Sequence, residues 1–214
     1  MKLVLALWIN YFLGAIPTAY IAGRLLKGID IRKHGSGNVG ATNVFRVLGK
    51  WPGIAVLVLD ILKGVVAVTF VGDIFALNQV WHRVLLALVV VAGHNWTVFL
   101  DFKGGKGIAT SLGVLIGLTI QISAIRPVLL LTLLVWLMCF LSTGFVSLAS
   151  MIAAVFLPII MALTNQVFPL VVLGVIFCVF VVVRHRPNIK RLWDGQESRV
   201  PLRWRGTLPF PKKK

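Results

Sequence analysis

The sequence predicts an all-α integral membrane protein: seven transmembrane helices in one polytopic domain over residues 1–214, with the N-terminus outside and the C-terminus cytoplasmic. Three observations predict it. The chain is 58% hydrophobic and only 13% charged, whereas a soluble domain carries about 25% charged residues. Its apolar residues gather in runs close to the ~20 that a helix needs to cross a bilayer. Finally, 22 basic residues oppose only 6 acidic ones, and the bases lie mostly between and after the runs. That placement suits topology signals, anionic headgroups and phosphorylated substrates. It does not suit nucleic acid, which needs a basic face on a folded surface.

The first span covers 3–23. Lys2 precedes it as in a signal peptide, yet Asn10, Gly14 and Pro17 interrupt it and no small-x-small cleavage site follows, so a retained span is expected. The second, 52–72, holds Asp60 and Lys63 at i, i+3 on one face, the spacing of a structural ion pair that lowers the cost of each buried charge. The third, 83–100, carries His94 and Asn95 near its end, where polar groups need internal partners. The fourth, 107–125, is divided from the fifth, 128–143, at Arg126-Pro127. Proline disfavours a helical residue before it, and a charge is costly at mid-membrane. Spans 147–164 and 168–183 complete the set. Cys139 and Cys178 sit inside apolar runs without metal spacing and read as inert thiols. With seven spans, 18 of the 22 Lys and Arg residues face one side and Lys2, Arg83 and Arg126 the other; the richer side is cytoplasmic.

The same assignment brings three polar segments to the cytoplasmic face. The first is Lys33-His-Gly-Ser-Gly-Asn-Val-Gly-Ala-Thr-Asn43, followed by Arg46. Three glycines in six positions allow a tight turn whose N–H groups converge on an anion. Ser36, Asn38, Thr42 and Asn43 add side-chain donors, and Arg32, Lys33 and Arg46 add charge. Gly35, Gly37 and Gly40 match G-x-G-x-x-G, but a dinucleotide site needs a preceding strand, and a P-loop needs lysine where Ala41 stands. An anion cradle and a plain turn are left. The donors and arginine exceed what a turn requires.

The second segment, Lys103-Gly-Gly-Lys-Gly107, opens an apolar helix, so Lys103, Lys106 and the amides around Gly104, Gly105 and Gly107 face an anion-friendly helix start. The third is Arg184-His-Arg-Pro-Asn-Ile-Lys-Arg-Leu-Trp-Asp-Gly-Gln-Glu197. Its basic residues suit headgroups. His185 and Asn188 are its distinctive members, and His185 titrates near neutrality in the absence of perturbation. Glu197 either contacts substrate or neutralises the basic cluster. No His has Asp at i+5, no G-x-S-x-G elbow exists, and the carboxylates are dispersed. Neither a metal site nor a strongly activated nucleophile is expected; an already activated substrate fits.

Tyr11-Phe-Leu-Gly-Ala-Ile-Pro-Thr-Ala-Tyr20, the glycine-rich run, Val47-Leu-Gly49, Phe99-Leu-Asp-Phe-Lys-Gly-Gly-Lys-Gly107 and Arg184-His-Arg-Pro-Asn-Ile-Lys-Arg-Leu192 with Gly195 and Glu197 resemble the bacterial acyl-phosphate:glycerol-3-phosphate acyltransferase family, known as PlsY. Thr97, where that family's proline is expected, and acidic Asp101 depart from its pattern. The resemblance covers nearly the whole chain. It implies a multi-pass protein of the bacterial cytoplasmic (inner) membrane that needs no cofactor or metal. The implied reaction moves an acyl chain from acyl phosphate to the 1-hydroxyl of glycerol 3-phosphate, giving 1-acylglycerol 3-phosphate, the first phospholipid precursor. Membrane lipids surround it, and a soluble acyl-phosphate synthase is the one protein partner such a donor brings into view.

Carried onto this sequence, the family motifs point to Ser36, Arg46, His185 and Asn188 as catalytic. They point to Asn38, Gly40, Thr42, Asn43, Lys103, Gly104, Gly105, Lys106, Gly107 and Glu197 as substrate-binding. A mixed anhydride with a phosphate leaving group asks little activation of the attacking hydroxyl, so positioning and charge stabilisation suffice. The leaving phosphate is assigned to the first segment with Arg46, and the glycerol 3-phosphate anion to Lys103–Gly107. Ser36, His185 and Asn188 then orient the hydroxyl, with His185 or a substrate phosphate oxygen receiving its proton. A transporter of phosphorylated small molecules is the alternative from another class. Against it, the polar clusters share one face and no paired half-repeat is evident.

Overall fold

The structure, a computed structural model, describes residues 1–200; the basic residues of 201–214 that enter the charge count lie outside it. All regular elements among the described residues are helical. The first predicted span is broken into α1 (Lys2–Ala15) and α2 (Thr18–Lys27), because Pro17 brings no N–H to the helical ladder. The freed carbonyls find side-chain partners. Ala15 accepts from Thr97 Oγ1 (2.6 Å) and Ile16 from Lys63 Nζ (3.3 Å). Thr97, at the position that departs from the family pattern, therefore ties the break in the first span to the end of α6 (Val80–Asn95, below).

The segment between the first two spans is not all loop. After a 3₁₀ turn at Ile31–Lys33 comes α3 (Ala41–Val47), so Thr42, Asn43 and Arg46 stand on a helix. Next, α4 (Lys50–Val66) passes through a π-helical turn, Ala67–Val71, into α5 (Gly72–Ile74). The remaining helices are α6 (Val80–Asn95), α7 (Ile108–Gln121), α8 (Arg126–Thr143), α9 (Val146–Leu163), α10 (Phe168–Arg184) and α11 (Arg186–Trp193). The division near Arg126 is where the sequence places it, with Pro127 in the first turn of α8, the position its fixed φ and missing N–H suit.

Among the described residues five helical stretches, α1 with α2 counted as one, are long and apolar enough to cross a membrane, six if α10 and α11, bent by 58°, count as one span. The chain is a multi-pass membrane protein. The 14-residue α7 is apolar but shorter than this measure, at ~21 Å.

Helices pair as α1 with α6, α4 with α7, α8 with α9 and α9 with α10. Small residues allow the closest approaches. A methyl on Gly14 would overlap the Val90 carbonyl, and one on Gly93 the Tyr11 carbonyl; between α4 and α7, Gly64 and Gly113 press on Thr110 and Ile61 in the same way. Lipid supplies no hydrophobic drive between helices, so such close contact is what holds them. Their centre is an apolar cluster including Val90, Val114, Leu118, Met161, Leu173 and Phe177. By contrast α8 buries only Val128, and its remaining apolar surface suits contact with acyl chains.

Arg83 differs from its place in the charge count. It is buried, and its guanidinium donates to the Val68 and Thr69 carbonyls of the π turn and pairs with Asp73. A π turn disturbs the regular ladder, and in a membrane the disturbed carbonyls need another donor.

Candidate functional site

Four connections meet at one end of the bundle: α2 to α4, α6 to α7, α8 to α9, and the corner between α10 and α11. The first approaches the second where Gly105 presses on the Val39 carbonyl; specific hydrogen bonds join the other three. Arg184, at the end of α10, donates Nε to the Gly105 carbonyl (2.9 Å) and Nη2 to the Gly104 carbonyl (2.6 Å). Its guanidinium lies 6.0 Å from the Trp96 ring. Lys106 reaches Asn188 on α11, and Ser147 on α9 reaches Glu197.

The bend between α10 and α11 turns His185 and Asn188 inward, leaving them 2% and 3% exposed. Asn188 is a charge relay without charge. Its Oδ1 accepts from Lys106 Nζ (2.5 Å) and its Nδ2 donates to Glu197 Oε1 (2.6 Å). Only this orientation of the amide serves both neighbours, since an ammonium donates and a carboxylate accepts. Glu197 also accepts from Ser147 Oγ and Arg191 Nε, each at 2.7 Å. Burial alone would raise its carboxyl, but the bonds from Ser147, Asn188 and Arg191 outweigh that and hold it below its usual range. These contacts pair Glu197 with Arg191 of the basic cluster.

Burial pushes Lys106 down to about 8, against the pull of Glu197 and with Arg191, Arg184 and Arg46 adding repulsion. Arg46, Lys106 and Arg191 thus share one field although they come from three segments. For His185, burial first and Lys106 second lower the imidazole to about 4. Its Nδ1 lies 2.8 Å from the Val181 carbonyl, which only accepts, so the proton of the neutral ring sits on Nδ1 and Nε2 keeps its lone pair.

The Lys106 value carries a prediction. In the free enzyme the ammonium is present below about 8 and is lost above it, so kcat/KM for an anionic substrate falls as pH rises through that value. Lys106→Arg should abolish this alkaline limb while keeping activity below it. A profile for the parent enzyme that stays flat to pH 10 removes Lys106 from anion binding.

In the first segment the glycines build a turn, but not a ring of free amides. The Ser36 N–H donates to Asn43 Oδ1 (2.8 Å) and the Gly37 N–H to the His34 carbonyl (3.1 Å). Asn43, buried, returns its Nδ2 to the Ile31 and His34 carbonyls at 3.3 and 3.0 Å. It braces the loop from inside. Gly35 (φ +60°) and Gly37 (φ +70°) occupy the left-handed region, whereas Gly40 is extended at the start of α3. A methyl on Gly35 would also overlap Asn43 Oδ1. Asn38 is half-buried, and Ser36, Thr42 and Arg46 are exposed. Arg32 is occupied by Asp30, which it holds at about 2.

The second segment behaves alike. The amides of Gly104 and Gly105 donate to the Asn95 and His94 carbonyls at 3.1 and 3.0 Å. Half-buried loops satisfy their own backbone, since an unpaired amide away from water is costly. What faces outward is the side chains of Ser36, Thr42 and Arg46; Gly107, at the start of α7, is buried. Lys103 is exposed. Asp60 and Lys63 form the expected buried ion pair (2.9 Å). Ser147, Arg184 and Arg191 were not singled out from the sequence; Ser147 lies in an ordinary apolar run with no motif to mark it. Among the described residues no three His, Cys, Asp or Glu side chains cluster as a metal would require.

Fold and site together define a multi-pass membrane protein that gathers cationic and amide side chains at one end of its bundle. The family model described as Glycerol-3-phosphate acyltransferase matches residues 4–195. A glycerol-3-phosphate acyltransferase of Desulforudis audaxviator is 45% identical over 204 residues, 95% of this chain and 98% of that protein. One from Synechococcus sp. (strain JA-2-3B'a(2-13)) is 44% identical over 201 residues, 94% and 96% of the two chains. A crystal structure of PlsY (YgiH), an integral membrane glycerol 3-phosphate acyltransferase in its glycerol 3-phosphate form, superposes with TM-score 0.84 at 37% identity, covering 94% of this chain and 96% of that one. Its lysophosphatidic acid form gives 0.80 at 36%. The chain belongs to the glycerol-3-phosphate acyltransferase family.

Proposed function

We propose that this protein transfers an acyl chain from acyl phosphate to the 1-hydroxyl of sn-glycerol 3-phosphate, releasing phosphate and 1-acylglycerol 3-phosphate, the first step of bacterial phospholipid synthesis. The observation that carries this reading is the set of contacts that joins two of the polar segments: Lys106 to Glu197 through the buried Asn188, and Arg184 to the carbonyls of Gly104 and Gly105. Such a site binds two phosphates and orients a hydroxyl. It suits an acyl donor that is already activated. The relatives' activity, and the two ligands held by the solved PlsY structures, support the acceptor and product.

In the reaction the acceptor hydroxyl oxygen attacks the acyl carbon, the bond from that carbon to the bridging phosphate oxygen breaks, and phosphate leaves. Arg46, with the first segment, stabilises the leaving phosphate, and Ser36 orients the hydroxyl. Lys106, held by Asn188, binds the acceptor phosphate. Neutral His185 accepts a hydrogen bond from the hydroxyl through Nε2. An imidazole held at about 4 is a poor proton sink near pH 7, which supports a substrate phosphate oxygen as the final acceptor.

Purified protein should therefore turn over glycerol 3-phosphate with acyl phosphate, poorly with acyl-CoA, and without inhibition by EDTA. A thioester needs a better-activated hydroxyl than this site supplies. Equal turnover with acyl-CoA, or loss of activity with chelator, overturns the reading.

The resemblance to the family supports seven spans in the bacterial inner membrane, and with seven spans the distribution of bases supports a site facing the cytoplasm. In that reading α7 is the short fourth span. Reporter fusions after Asn78 and at the C-terminus should report opposite sides, and agreement between them refutes the orientation.

A further inference from the structure

We propose that Asp60, Lys63 and His94, inside the bundle, are positioning residues for the reaction: they set where the Gly104–Gly105 segment stands, and through it Lys106. The inference rests on the acyl transfer proposed above.

The three side chains meet beneath that segment. Asp60 Oδ1 accepts from Thr18 Oγ1 (2.7 Å), pairs with Lys63 Nζ (2.9 Å) and lies 3.7 Å from His94 Nδ1. Lys63 also donates to the Ile16 carbonyl at the break in the first span (3.3 Å). The network thus joins α2, α4 and α6. Asp60 is 1% exposed and Lys63 5%. An ion pair at this depth is a costly way to hold helices together, because apolar side chains of similar size do so without desolvation.

What the network touches suggests why charge is present. The His94 ring lies between Asp60 and the loop, and its Nε2 leaves no room for a methyl on Gly105. The His94 and Asn95 carbonyls accept the amides of Gly105 and Gly104. The carbonyls of the same two glycines are taken by Arg184. Every backbone polar group of the dipeptide is thereby tied to α6 on one side and α10 on the other. A cavity of about 10 Å³ lined by Pro17, Thr18, Val39, His94, Thr97 and Gly105 lies between network and loop, room for about one water. A shift of His94 therefore passes to Gly105 and on to Lys106, one residue later.

Removing one charge strands the other and threatens folding, so the test uses the paired Asp60→Asn/Lys63→Met variant. His94→Gln, which leaves the ion pair intact, carries the test if the pair does not accumulate in membranes. Both are purified in detergent and assayed beside the parent and Lys106→Ala. The expected result is a KM for glycerol 3-phosphate raised about fivefold or more, with the KM for acyl phosphate within about twofold of the parent. Combined with Lys106→Ala, either variant should add nothing further to that KM, as expected of groups acting through one residue. A purely structural role lowers Vmax with the folded fraction and leaves both KM values in place. That result, or full additivity with Lys106→Ala, overturns the inference and leaves acyl transfer standing. A parent enzyme with no acyl transfer at all overturns the proposed function, and this inference with it.

Discussion

Arg46→Ala is expected to lower turnover by about 10²–10³-fold while the protein keeps its thermal stability. The guanidinium is exposed on the last turn of α3, and no hydrogen bond or ion pair engages it among the described residues. Truncation therefore strands no buried partner, and the protein loses little. The loss falls on a developing phosphate charge, where removal of one oriented donor costs about 3–4 kcal/mol. Arg32 makes the control. Its guanidinium is bound to Asp30 at 2.8 Å, so Arg32→Ala should leave turnover within a few-fold. Steady-state kinetics beside a thermal unfolding curve decide the matter. Arg46→Ala at parental activity would remove Arg46 from the leaving-group site.

The second large effect is expected at Asn188. Asn188→Ala breaks the path from Lys106 to Glu197 and leaves the Lys106 ammonium, already poorly solvated, without its acceptor. A loss of about 10²-fold or more in kcat/KM for glycerol 3-phosphate follows if Lys106 holds the acceptor phosphate. Glu197 keeps Ser147 and Arg191, so the corner between α10 and α11 should survive. Asn188→Asp tests the orientation of the amide. Its second carboxylate oxygen would face Glu197 where an N–H now donates, so like charges meet and activity should not return. A kcat/KM for Asn188→Ala within threefold of the parent would show that Lys106 does not depend on this contact.

Much of this site was legible because its chemistry is local. Lys103–Gly107 and Arg184–Glu197 are contiguous, and their basic and glycine residues set them apart from the apolar runs before any fold is known. The backbone was harder to read. Glycines at 35, 37, 104 and 105 promised free amides, yet the N–H groups of Gly37, Gly104 and Gly105, and that of neighbouring Ser36, pair within the protein. Residue type reveals that a backbone is able to turn; it does not reveal which acceptor lies beside it after the turn. Asn43 illustrates the same point. Its side chain suits an anion as well as it suits the Ile31 and His34 carbonyls, and proximity decided for the carbonyls.

By itself the sequence determined the class of the molecule, its apolar helices and the three polar segments between and after them. These follow from short-range physics: a bilayer demands runs of apolar residues in which each backbone group bonds within its own helix. The tertiary structure alone decided how those segments are held. Arg83 became the partner of a π turn, Thr97 and Lys63 the partners of a broken first span. Ser147 came to support Glu197 from fifty residues away, and Arg184 to hold the loop before Lys106. Each of these contacts joins groups far apart in the chain. Burial makes an unpaired polar group costly wherever it lies, but only the packing of the helices determines which distant group stands near enough to pair with it.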